Sequence, residues 1–175
     1  NECSVTDYFL KTQNIIYSSG EDIRKDYMLK ESTEDGKSIF YTLYSNYFDD
    51  IKTINFVDYI NTPENAIEVK DPSVSNENKI KSWLIENGNG YDLYVGSEKI
   101  IFSNFNSQYL FKDMINVTNI DLHNLNTSFT TNMKEFFRNL QNITYINVRS
   151  LNTSNVTNMH NIFINCLLLT EIDVS

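Results

Sequence analysis

Leu151-Asn152-Thr153-Ser154-Asn155-Val156-Thr157-Asn158-Met159 stands 26 residues after Leu125-Asn126-Thr127-Ser128-Phe129-Thr130-Thr131-Asn132-Met133. Setting 125–149 against 151–175 gives 12 identities in 25 positions, far more than unrelated segments share. Working outward, Phe111, Phe137 and Phe163 fall in the same register, as do Ile120, Ile146 and Ile172, then Leu122, Val148 and Val174. A period of this length marks a repeat architecture and shapes the whole fold, because each unit buries its apolar face only against its neighbours.

Each unit has an internal pattern. Val117, Ile120 and Leu122 are spaced as apolar, two residues, apolar, one residue, apolar, and the spacing recurs at Ile143, Ile146, Val148 and at Leu169, Ile172, Val174. That is the strand half of a leucine-rich repeat. Side chains two apart on a strand share a face, so Ile146 and Val148 turn inward while Tyr145 and Asn147 turn to solvent. Val156, Met159 and Phe163 read as one stripe of a returning helix, capped by Ser154 or Asn155. The predicted fold class is α/β: a short leucine-rich-repeat solenoid of 26-residue repeats, parallel strands plus helical turns, with an N-terminal α+β capping region.

The segment Leu151 to Met159, with Ile162-Phe163, Asn165-Cys166 and Leu169 to Ser175, resembles the BspA-like leucine-rich-repeat surface proteins of bacteria. Ile51 to Val57, Pro63 to Ile67, Ser82-Trp83-Leu84, Leu93 to Gly96 and Tyr109-Leu110-Phe111 look like the flank that precedes such repeats, so the resemblance covers 51–175. Leu125 and Leu151 depart from the family, standing where many leucine-rich repeats place an inward Asn or Cys; Asn126 and Asn152 are the candidates to satisfy that turn instead. The resemblance implies display outside the cell, on the bacterial surface, and binding or adhesion. It fixes no ligand.

Along the chain, 1–75 reads as an N-terminal flanking α+β region, 76–103 as a cap helix and hairpin, and 104–175 as the repeats. Helices are predicted over 7–17 and 21–30, with Ser18-Ser19-Gly20 between them; 38–47 stays open between helix and strand. Strands are predicted over 51–59 and 66–69, a helix over 77–86 with Ile80, Trp83 and Leu84 on one face, and a hairpin pairing 91–95 with 99–102 around Gly96-Ser97. Trp83 is read as the plug over the first coil. At the other end the sequence stops inside the third repeat's strand. That edge is expected to be uncapped, to favour self-association, and to mark a fragment of a longer array.

With 41% hydrophobic and 13% aromatic residues the chain can build a core. No apolar run reaches the roughly 18 residues that span a bilayer, so no membrane insertion is expected within it, and any export signal is expected to lie outside the sequence. Residues 1–100 hold 18 acidic and 10 basic side chains and 101–175 hold 5 and 4, which makes the net charge of −9. Such a chain repels phosphate backbones, and nucleic acid is not an expected partner. Cys3 and Cys166 are too few for a disulfide framework, and Cys166 is read as a buried free thiol.

No phosphate loop, His-Glu-x-x-His, Gly-x-Ser-x-Gly or calcium loop occurs. His123 and His160 read as surface residues. The chain is therefore expected not to be an enzyme, with no catalytic residue, no metal ligand and no cofactor. The candidate ligand-binding surface is the outward strand face, Asn119, Asp121, Tyr145, Asn147, Glu171 and Asp173, with Tyr145 its one aromatic. The expected partner is a host or matrix protein or glycan. Two alternatives are a structural spacer and an N-terminal carbohydrate-binding or catalytic module carried on a repeat stalk. Fifteen of the 25 asparagines follow Ile100 and several recur in register, a pattern that suits amide ladders along a stack.

Overall fold

A computed structural model of the chain describes residues 23–175; the helix expected over 7–17 and Cys3 lie outside the described residues. Where the second helix was expected, a five-residue 3-10 turn, Ile23–Tyr27, leads into single bridges from Met28 to Phe102 and Leu29 to Ser73. The ambiguous aromatic stretch contains one short helix, α1 (Ile39–Tyr44). The Ser38 hydroxyl accepts from Phe40 N at 3.1 Å to cap it, and donates to Leu110 O at 2.5 Å. The cap thus ties α1 to the first repeat.

The strands are β1 (Ile51–Val57), β2 (Ile67–Lys70), β3 (Lys81–Glu86), β4 (Tyr91–Gly96), β5 (Ile101–Phe102), β6 (Asn119–Asp121), β7 (Leu125–Asn126), β8 (Tyr145–Asn147) and β9 (Glu171–Asp173). They form one five-stranded sheet, β2-β3-β4-β1-β6, and two-stranded pairs β5-β7 and β8-β9. The large sheet is mixed: β3 is antiparallel to β2 and β4, and β1 is parallel to β4 and β6.

The predicted leucine-rich-repeat solenoid with helical turns is overturned. The described residues make a small, mostly-sheet domain with mixed sheets and hardly any helix. The reason is visible in the backbone of the repeats. Tyr109, Glu135 and Asn161 occupy one repeat position, Asp113, Asn139 and Asn165 another, and all six have φ between 54° and 67°. A left-handed residue every four positions forbids a right-handed helix.

The repeat amides bond from segment to segment instead. Tyr109, Phe111 and Asp113 donate N–H to Lys134, Phe136 and Arg138 O at 2.9–3.1 Å, and Glu135, Phe137 and Asn139 donate to His160, Ile162 and Ile164 O at 2.8–3.0 Å. The intervening amides close local turns instead: Phe136 N to Met133 O, Arg138 N to Glu135 O, Ile162 N to Met159 O. Alternate N–H groups therefore stitch one 26-residue segment to the next, whereas a helix would spend them all internally.

The stripe of core rings follows from that stitching. Phe137 stacks on Phe111 at 5.6 Å and on Phe163 at 5.3 Å, with planes 9° and 1° apart. Phe111 and Phe137 are fully buried. The first segment is covered by Phe40 of α1 and Phe56 of β1, whose rings lie 6.0 and 6.1 Å from Phe111.

Trp83 is not the plug. Residues 81–86 are the strand β3 and not part of a helix; β3 forms a hairpin with β4 through Asn87-Gly88-Asn89-Gly90, while β5 leaves β4 to pair with β7. Trp83 is buried, stacked on Tyr94 at 5.6 Å beside Tyr59, apart from the cluster that holds Phe111. Gly96 makes that packing feasible, since a Cβ there would sit 2.1 Å from Tyr59 O and 2.8 Å from the indole.

Candidate functional site

Each repeat strand ends on a polar residue that turns the chain. Asp121 Oδ1 accepts from His123 N at 3.1 Å, Asn147 Oδ1 from Arg149 N at 3.1 Å, and Asp173 Oδ1 from Ser175 N at 3.2 Å. These Asx turns fix the side chains at the strand ends and aim the residue two places on across the same surface. Asn126 and Asn152 do the same at the next corner, accepting from Ser128 N and Ser154 N at 2.8 and 3.0 Å. The turn that lacks an inward Asn or Cys is satisfied in this way.

The six residues named from the strand alternation fall into two groups. Tyr145 and Asn147 on β8 stand directly opposite Glu171 and Asp173 on β9. Asn119 and Asp121 lie on β6, opposite Thr53 and Asn55 of β1. All six point outward, with Ile120 and Ile146 buried between them, while Ile172 on the last segment is 39% exposed. The polar face continues beyond β6: Thr53 Oγ1 donates to Asp92 Oδ1 at 2.7 Å, and Asn55 Nδ2 to Thr53 Oγ1 at 2.9 Å.

No strand ladder joins β6 to β8 among the described residues. Side chains bridge the break instead: Ser150 Oγ donates to Leu122 O at 3.1 Å, and Asn142 Nδ2, just before β8, donates to Ile115 O at 2.8 Å. At the break lies a cleft of about 240 Å³, with Asp121 and His123 on one wall, Asn147, Arg149 and Ser150 on the other, and Ile120 and Leu122 at its base. His123, Arg149 and Ser150 were not among the sequence-derived site residues. The signal existed: His123 and Arg149 share one repeat position, two residues after an outward Asp or Asn.

Asp173 is the most heavily bonded group on this face. Its Oδ2 accepts from Tyr145 Oη at 3.1 Å and its Oδ1 from Arg149 Nε at 2.8 Å, with Ser175 Oγ at 2.9 Å. Hydrogen bonds from the Ser175 backbone N–H, then the Ser175 hydroxyl, Arg149 and Tyr145, hold its carboxyl at about 2, against 3.8 ordinarily. The Tyr145 hydroxyl is pushed the other way, by partial loss of water first and then by Asp173. Arg149 thus offsets the negative charge of Asp173 on this face.

Elsewhere, Cys166 is a free, half-buried thiol that donates to Phe137 O at 3.0 Å, and burial pushes its pKa up. Among the described residues no group of three or more His, Cys, Asp or Glu is arranged to hold a metal ion, and no helix is long and apolar enough to cross a membrane.

Residues 105–175 match the family described as "Mycoplasma protein of unknown function, DUF285". It is a surface-protein-related family of unknown function. No curated protein and no solved structure matches the chain. The matched span contains the three repeats and begins just before the first of the stitched amides. The broader BspA-like resemblance is thereby supported only at the level of this family.

Proposed function

We propose that the protein acts at the bacterial cell surface as a binding module, and that its strand face engages a host or matrix macromolecule. The observation that carries this reading is the break between β6 and β8, where outward polar side chains from two repeats line a cleft, with the exposed Tyr145 ring on the same strand as Asn147. The family match supports the surface location.

The chemistry of the face suits binding better than catalysis. Asp173 accepts from three side chains and is held ionised, which makes it a fixed acceptor and a poor proton carrier. Tyr145 is 39% exposed and offers an amphipathic contact at low ordering cost. The partner is a protein or glycan, because a chain of net charge −9 repels nucleic acid.

Tyr145→Ala combined with Asn147→Ala tests the reading. The double variant should keep its circular dichroism spectrum and melt within a few degrees of the parent, since neither side chain supports the core. Beads coated with it should lose adhesion to matrix-coated and host-cell surfaces. Equal adhesion by the folded variant would move the contact away from this strand face and leave these three repeats as a spacer.

A further inference from the structure

The break in the sheet leaves a particular set of unused hydrogen-bonding groups. Asp121 Oδ1 is occupied by His123 N and lies 2.8 Å from His123 Nδ1, which leaves Asp121 Oδ2 free. Asn147 Oδ1 is occupied by Arg149 N, which leaves its Nδ2 free. Arg149 spends Nε on Asp173 and Nη2 on Ser175, which leaves Nη1. The cleft therefore offers acceptors and donors side by side.

Charge narrows the occupant. An anion entering the cleft meets Asp121, against one arginine already committed to Asp173. A lysine or arginine side chain meets Arg149 itself. An anion thus loses its hydration with no free cation to repay it, and a cation finds only the Asp121 carboxylate, which already lies 2.8 Å from His123 Nδ1, with the Arg149 guanidinium on the opposite wall. A neutral ligand whose groups each donate and accept fits both walls.

Size narrows it again. About 240 Å³ is below the roughly 300–1,000 Å³ of sites that enclose drug-sized ligands or cofactors. At about 30 Å³ per water, it is room for about eight waters, enough for one ring-sized unit. Tyr145 adds an exposed aromatic body on β8, the same strand that carries Asn147.

We infer that the cleft between β6 and β8 is a saccharide subsite that takes one neutral hexose unit of a surface or matrix glycan. Vicinal hydroxyls pair with Asp121 Oδ2 and Asn147 Nδ2, one acceptor and one donor from adjacent repeats. The C–H face of a neighbouring sugar rests on Tyr145. This deepens the strand-face reading proposed above and rests on it.

The test is a titration of the full chain, followed by backbone amide NMR, with methyl glycosides of glucose, galactose, mannose and N-acetylglucosamine, and with sialic acid as the anionic comparison. Saturable shifts at Asp121, His123, Asn147 and Arg149 are expected with at least one neutral glycoside. Asn147→Asp keeps the turn acceptor but removes the donor, and should weaken that binding at least tenfold with the remaining spectrum intact. Shifts with sialic acid alone, no shifts in the cleft with any neutral sugar, or unchanged affinity of Asn147→Asp would overturn the inference. A second arm separates this from the parent reading. If Tyr145-dependent adhesion survives periodate destruction of matrix glycans, the saccharide subsite falls and the binding face stands as a protein contact; if periodate abolishes it, the subsite is supported.

Discussion

Phe137 lies between Phe111 and Phe163 in a stack of three near-parallel rings and touches Phe136 edge-on at 4.7 Å. It is fully buried, so truncation removes ring contacts on both sides and leaves a cavity. Phe137→Ala should cost about 3–5 kcal/mol in denaturant melts. A loss below about 1 kcal/mol would show that the ring column is misplaced. This column was legible in the sequence, because identical residues in register take equivalent core sites. The residue-scale miss was Trp83: a lone large aromatic was assigned to the nearest unmet packing need, whereas Phe40 and Phe56 meet that need and Trp83 stacks on Tyr94.

Asp173 gives a residue-scale prediction in pH. Its folded pKa, about 2, is depressed below the ordinary 3.8, so its contribution is present above about pH 4 and is lost as pH falls toward 2. Arg149→Ala removes one of the three side-chain donors and should raise the Asp173 value, read from carboxyl chemical shifts in an NMR titration. An unchanged midpoint would mean that the Arg149 contact at 2.8 Å is not kept in solution.

At the scale of elements, the repeats show why a helical stripe misled. Val156, Met159 and Phe163 have helical spacing, but spacing reports only which side chains share a side. The backbone instead alternates left-handed residues with tight turns. The sequence carried a hint: Asp113, Asn139 and Asn165 recur in register, and Asn and Asp tolerate positive φ better than other non-glycine residues. At Asn165, φ is 61° and the side chain is exposed, so Asn165→Gly should be neutral within about 0.5 kcal/mol and Asn165→Val should cost about 1–2 kcal/mol or more. Equal stability of the two variants would refute the left-handed assignment.

The 81–86 segment was misread for a different reason. As a central strand it is buried on both faces, Ser82, Trp83 and Leu84 in succession, which erases period-two alternation. The Asn-Gly-Asn-Gly run that follows was the better guide, since such turns join hairpin strands. By contrast β1 was legible from its β-branched and aromatic alternation, and its observed span, Ile51–Val57, lies inside the expected one. The outward face was legible too, because each strand carries its own alternation. The cleft was not: it depends on β6 pairing with β1 and not with β8, a choice made by the N-terminal sheet and invisible in any single repeat.

At the scale of the whole molecule, the five-stranded sheet captures the first repeat through β1 and β6, and the later repeats are held to it by alternate amides and the ring column. This arrangement fixes the strand face in place without helices behind it. Amide hydrogen exchange tests it most directly. Strong protection is expected at Tyr109, Phe111, Asp113, Glu135, Phe137 and Asn139, whose N–H groups reach the next segment, and weaker protection at the intervening Lys112, Phe136 and Arg138, whose N–H groups close only local turns. Even protection across 133–139, as a helix would give, would contradict this arrangement.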